Sequence, residues 1–172
     1  MSRRTEQLSL FAALNAERAE YVVVGGVAVN AHGFIRNTTD LDIYLRPSED
    51  NAAAVFRALA ALSVPLEGKD PTDLLIDYAH FQMQTPDGRI DFLTSIGGMP
   101  FEQVWSGRVD EEIEGVLIHF ISKQDLIENK LQVGRTRDLL DVEELALVPD
   151  KPHLELVDSP PDDEETPSYY SH

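Results

Sequence analysis

The hydrophobic positions of this chain change period several times, and each change marks an element. From Thr5 to Arg18, Leu8, Phe11 and Leu14 recur with neighbouring alanines on one side, which predicts an amphipathic helix. Tyr21 to Val24 is an unbroken apolar run and predicts a buried strand, and Gly26 to His32 predicts a short helix ended near Gly33. From Thr39 to Leu45 the period becomes two: Leu41, Ile43 and Leu45 face a core, while Asp40 and Asp42 share the opposite side of a second strand. Ser48 caps a helix running through Leu62, with Glu49 and Asp50 in its first turn. Ile76 to Gln84 and Arg89 to Thr94 predict two strands around the turn Thr85-Pro86-Asp87-Gly88.

The C-terminal half reads similarly. Phe101 to Trp105 predicts a short helix, and Val109 to Ile113 with Val116 to Ile121 predicts a hairpin around Glu114-Gly115. Ser122 caps a further helix, with Asp125 placed to complete a capping box, and Gly134 ends it. A last helix covers Arg137 to Leu147. There is no internal repeat. The order of elements predicts an α/β (α+β) domain with a mixed β-sheet flanked by helices, spanning residues 1–148. From Pro149 the chain turns rich in Pro, Asp, Glu and Ser, so residues 149–172 are expected to form an acidic, disordered tail.

Composition narrows the classes. At 172 residues the chain is long enough to bury one core. It has no cysteine, which removes disulfides and thiolate metal sites. No apolar run is long enough to span a bilayer, the N-terminal stretch reads as a helix rather than a signal peptide, and a cytoplasmic location is expected. The formal charge of −17 disfavours non-specific binding to nucleic acid. A local basic cleft is still open to Arg36, Lys123, Lys130, Arg135 and Arg137.

The candidate chemistry centres on Gly25-Gly26 and the Asp40-Leu41-Asp42 strand. Two carboxylates on one strand face repel each other unless a cation stands between them. Magnesium takes one or two carboxylates together with phosphates and water. Asp91, on the strand carrying Arg89 and Leu93 on the same face, supplies a third acid if that strand neighbours the Asp40 strand. Paired glycines allow a phosphate close to the backbone, and the helix that follows offers N–H groups. Each residue also has a plain reading. The paired acids could be solvated surface residues, Asp91 could pair with Arg89, and Gly25-Gly26 could be only a turn. Lys130 could cover apolar surface with its stem, and Asp138 could cap the last helix or pair with Arg135. Arg36 could brace a loop, and His32 and His80 read as structural.

GGVAVNAHGFIRNTTDLDI, GRIDFL and the C-terminal stretch through KQDLIENKLQVGRTRDLLDVEEL together resemble the DNA polymerase β-like nucleotidyltransferase superfamily. The small bacterial members, including abortive-infection nucleotidyltransferase toxins, are the most similar. The resemblance covers roughly residues 5–147 and implies the nucleotidyltransferase fold with C-terminal helices. It implies that Asp40, Asp42 and Asp91 bind Mg2+ or Mn2+ and serve catalysis. It also implies that Gly25, Gly26, Arg36, Lys130 and Asp138 contact the nucleotide. Many members carry Gly-Ser where this chain has Gly25-Gly26, which removes one hydroxyl from the phosphate site.

The implied function is metal-dependent transfer of a nucleoside monophosphate from an NTP to a hydroxyl of a protein side chain or a tRNA. A toxin–antitoxin setting, with a cognate toxin or antitoxin protein as partner, goes with that resemblance. Two other readings remain: a non-catalytic antitoxin or partner-binding module of the same fold, and a small-molecule enzyme of the aminoglycoside type.

Overall fold

The computed structural model describes residues 2–76 and 80–158. These form helices α1 (Arg3–Ala16), α2 (Gly25–Ala31), α3 (Glu49–Ala61), α4 (Phe101–Gly107), α5 (Lys123–Val133) and α6 (Thr136–Leu147). The strands are β1 (Tyr21–Val24), β2 (Asp40–Leu45), β3 (His80–Thr85), β4 (Gly88–Leu93), β5 (Val109–Ile113) and β6 (Val116–Phe120). One six-stranded sheet has the order β3-β4-β2-β1-β6-β5. β1 pairs antiparallel with β2 and parallel with β6, and β2 pairs parallel with β4. The sheet is therefore mixed, as expected.

Caps explain where the helices begin. The Ser48 hydroxyl accepts from the Asn51 N–H at 3.2 Å, and the Ser122 hydroxyl accepts from the Asp125 N–H at 3.1 Å. The Asp125 carboxylate accepts instead from Gln103 at 3.0 Å, tying α5 to α4. Gly134 closes α5 in the left-handed conformation. The sequence pattern did not show the 3-10 turn Pro71–Leu74, which Asp70 caps through the Thr72 N–H at 2.8 Å.

Strand alternation sorts the core into two layers. On one sheet face, Tyr21, Val23, Leu41, Ile43, Leu45 and Phe92 pack with Leu10, Phe11 and Leu14 of α1 and Val55 and Leu59 of α3. On the other, Val22, Val24 and Tyr44 pack with Ala28, Val104, Leu126 and Leu145 from the remaining helices. Each large apolar side chain so buried contributes about 1.5–3 kcal/mol. Asp40, Asp42 and Asp91 alternate with residues of the first layer, so they project from the second face.

Two expectations change. The strand expected from Ile76 begins at His80; Ile76 itself is exposed, and residues 77–79 lie outside the described residues. Of the tail expected from residue 149, the first ten residues pack on the domain. Residues 149–158 run along the domain, Leu154 and Leu156 are buried in the first core layer, and the Arg4 guanidinium donates to the Leu156 carbonyl. Leu154 and Leu156 alternate with exposed Glu155, but two leucines among prolines and acids are too short a pattern to predict an element. Residues 159–172 lie outside the described residues.

Candidate active site

β1 runs directly into α2, and Gly25 makes that junction. Its φ is +67°, a conformation that L side chains rarely adopt, and a Cβ at this position would collide with the Asp42 carboxylate. A Cβ on Gly26 would press on the Thr38 hydroxyl and lie 3.2 Å from Arg36 Nη1. Close approach favours glycine at both positions: Gly25 lies against Asp42 of the acidic strand, and Gly26 against Thr38 and Arg36 of the loop before it.

Strand register assembles the acids. Asp40 is paired with Arg89 and Asp42 with Asp91 across the parallel β2–β4 ladder, and Asp42 is also opposite Val24 on β1. The three carboxylates thus share one patch beside Gly25. Asp91 is only 3% exposed, and its Oδ1 is buried without a hydrogen-bond partner. Arg89 bridges two of the acids: Nη2 donates to Asp40 Oδ2 at 3.0 Å and Nε donates to Asp91 Oδ2 at 3.1 Å, with Asp91 Oδ1 at 3.0 Å from the same nitrogen as a charge contact only. His80 Nε2 stands 3.2 Å from Asp91 Oδ1 on the other side. Burial first, then the negative charges of Asp91 and Asp40, push Asp42 up from 3.8 to about 6.

The opposite wall is cationic and braced. Arg36 grips Asp141 in a two-pronged pair at 2.7 and 2.9 Å. Lys130 Nζ lies 2.9 Å from Asp141 and 3.1 Å from Asp138, and Asp138 accepts from Arg135 Nε at 2.8 Å. The result is a chain Arg36–Asp141–Lys130–Asp138–Arg135 linking the loop before β2 to α5 and α6. Burial pushes Asp138 and Asp141 up. The bonds to Asp138 from Arg135 and Lys130, and to Asp141 from Arg36 and Lys130, outweigh it and hold both below the usual carboxylate range. Asp138 also accepts from the Arg135 backbone N–H at 3.2 Å, so its capping role and its ion pairs coexist.

These walls enclose a cleft of about 500 Å3, a size suited to a small ligand. Gly25, Gly26, Arg36, Asp40, Asp42, Asp91, Lys130 and Asp138 all line it. Two expectations need correction. Lys123 does not join the cleft: its ammonium donates to the Val148 carbonyl at 2.5 Å and pairs with Asp150 at 3.1 Å. Lys130 does not cover apolar surface with its stem alone: it is 7% exposed and held between two carboxylates.

Arg89, His80 and Asp141 were not among the expected site residues. Asp141 was open to inference, since it lies one helical turn from Asp138 and on the same side. Arg89 was recognised only as a partner for Asp91; its reach to Asp40 follows from the strand register.

The acids suit a divalent cation by chemistry: three oxygen-donor side chains share one patch, and one buried oxygen, Asp91 Oδ1, accepts no aligned hydrogen bond. Among the described residues, no three His, Cys, Asp or Glu side chains are already spaced to ligate one ion, and Arg89 is the cation that bridges two of the acids.

No curated protein sequence matches the chain. Its fold is similar to that of solved nucleotidyltransferases. A candidate nucleotidyltransferase of Thermotoga maritima, TM1012, superposes with a TM-score of 0.55 at 15% identity, covering 85% of this chain and 95% of that one. ANT(2'')-Ia, solved in complex with adenylyl-2''-tobramycin, gives 0.54 at 15% identity over 83% of this chain and 86% of its own. The lincosamide antibiotic adenylyltransferase LnuA, with lincomycin bound, gives 0.55 at 16% identity over 87% and 99%. In sequence, residues 4–169 match one family along nearly the whole chain. With the acidic strand, the glycine junction and the mixed sheet all in place, this chain belongs to the family described as "Nucleotidyltransferase of unknown function (DUF6036)".

Proposed function

We propose that this nucleotidyltransferase is metal-dependent and moves a nucleoside monophosphate from an NTP to a hydroxyl acceptor. The observation that carries this reading is the grouping of Asp40, Asp42 and Asp91 on one sheet face against the Gly25 backbone, opposite a cationic wall. Asp40, Asp42 and Asp91 would hold Mg2+ or Mn2+. Bound there, a divalent cation neutralises the triphosphate and polarises the α-phosphate for attack. Asp91 takes the proton of the acceptor hydroxyl as the new O–P bond forms and the bond to pyrophosphate breaks. Gly25 and Gly26 let the triphosphate approach the backbone. Lys130 and Arg36, held rigid by Asp138 and Asp141, place positive charge where the leaving pyrophosphate gains negative charge.

The acceptor we propose is a protein side chain or a tRNA end. Exposed Arg135 and Arg137 at the cleft rim support an anionic acceptor. A toxin–antitoxin setting in the cytoplasm, with a cognate toxin or antitoxin as partner, goes with the same reading. The likeness to ANT(2'')-Ia and LnuA favours a second reading, a small-molecule antibiotic hydroxyl. Incubation with each α-labelled NTP, magnesium or manganese, and separate protein, tRNA, aminoglycoside and lincosamide fractions tests both. Label in protein or tRNA supports the first reading, label in an antibiotic the second, and label in no fraction contradicts the transfer itself.

A further inference from the structure

We propose that Arg89 is a built-in counter-ion of the carboxylate face, which a divalent cation must displace from Asp40 and Asp91 and which then passes to the triphosphate. The inference rests on the metal-dependent reading above and concerns a residue that reading does not use.

The geometry is specific. Arg89 is in register with Asp40 and two positions before Asp91 on β4, so its side chain rises from the same face as all three acids. Its planar fork spans the patch, with Nη2 on Asp40 and Nε on Asp91, both at 3.0 Å. Arg89 Nε donates to Asp91 Oδ2 at 3.1 Å, while the buried Oδ1 lies 3.0 Å from the same nitrogen and 3.2 Å from His80 Nε2 but accepts no well-aligned hydrogen bond. An oxygen held by charge without an aligned hydrogen bond can turn to an ion once the guanidinium moves. Asp42 has no ion pair among the described residues, and Arg89 is the guanidinium within ion-pair distance of both Asp40 and Asp91.

A divalent cation on the same oxygens would lie within a few ångströms of the guanidinium. Two cations at that spacing repel strongly, so Arg89 has to release one carboxylate or both. Lys130 is committed to Asp138 and Asp141, Arg36 to Asp141 and Arg135 to Asp138, which leaves His80, 3.2 Å from Asp91, as the nearest other basic group to that acid. Arg89 is about one-third exposed and lines the cleft, so a released fork remains beside the space a nucleotide would fill. Phosphate oxygens offer it the bidentate partner it has lost. Metal and nucleotide should then bind cooperatively, because each removes an obstacle to the other. Without nucleotide, Arg89 suppresses metal binding and stabilises the crowded acids.

The test is Mn2+ binding followed by electron paramagnetic resonance, in wild type and Arg89→Gln, with and without an NTP analogue carrying a methylene at the α–β bridge. Wild type should bind Mn2+ weakly alone and more tightly with the analogue. Arg89→Gln should bind nucleotide-free Mn2+ about tenfold more tightly than wild type, and the further tightening by the analogue should shrink. Arg89→Lys keeps the charge but cannot span both acids; it should shift in the same direction by about threefold, and it serves where the glutamine variant does not fold. Unchanged or weaker nucleotide-free affinity in the variants, with analogue-dependent binding intact in wild type, overturns the role of Arg89 alone. Mn2+ bound by no protein, even with the analogue, overturns the metal-dependent reading and this inference together.

Discussion

Asp42 and Asp91 are register partners on two parallel neighbouring strands, and neither can leave the other's field without disrupting the β2–β4 ladder. The ladder itself therefore forces charge crowding at this face, and the pKa of Asp42, the glycine at position 25 and the arginine at position 89 all respond to it.

Removing the Asp42 charge should stabilise the ion-free protein. Its folded pKa of about 6 lies above the ordinary 3.8, so the folded chain holds this proton more tightly than the unfolded one. The group therefore favours folding fully below about pH 4 and loses that contribution as pH rises through about 6. Asp42→Asn should raise stability by about 1–3 kcal/mol at pH 7.5 and change it little at pH 4. It should also lose the melting-temperature rise that NTP with magnesium gives wild type. Thermal melts at the two pH values check both; a variant less stable than wild type at pH 7.5 contradicts the crowding argument.

Gly25→Ala should be far more damaging than its size suggests. The new methyl meets the Asp42 carboxylate and the backbone must hold a positive φ. We expect a loss of about 1–3 kcal/mol and of most turnover. Wild-type melting and activity in the variant would show that the junction has room.

Lys130→Ala should cost stability as well as activity. Asp138 and Asp141 are buried and each loses a partner, for about 3–5 kcal/mol. Both carboxyls sit below their ordinary range, so what they contribute is present at neutral pH and lost as pH falls through their folded values. The variant's deficit should therefore narrow in acid. Chemical denaturation at pH 7 and pH 3.5 measures it; an equal deficit at both would show that only packing was lost.

Leu154→Ala and Leu156→Ala should each destabilise the domain by about 2–5 kcal/mol. Denaturant midpoints check this, and unaltered midpoints would return residues 149–158 to the role of a loose tail.

Much of this architecture was legible from local rules. Period two placed Asp40 and Asp42 on one face of β2, and Ser48 and Ser122 marked helix starts that the structure keeps. The hairpin Val109–Ile113 with Val116–Phe120 followed from its alternation around Glu114-Gly115. What local rules omit is pairing between distant strands. That β4 lies beside β2, in the register that brings Asp91 to Asp42 and Arg89 to Asp40, is a tertiary fact. The fate of Lys130 was hidden for a similar reason. Helical spacing put it on a stripe with Ile127, but only the packing of α6 on α5 reveals two carboxylates waiting for it. Leu154 and Leu156 alternate around Glu155, but over too few residues to predict an element.

Transfer chemistry at Asp40, Asp42 and Asp91 releases pyrophosphate, which can be measured as it forms. With NTP, magnesium or manganese, and an acceptor-containing lysate, wild type should release pyrophosphate, while Asp91→Asn, folded by its melting curve, should release it at least about a hundredfold more slowly. Equal release by wild type and Asp91→Asn, or none by wild type with any NTP and either ion, would contradict the account.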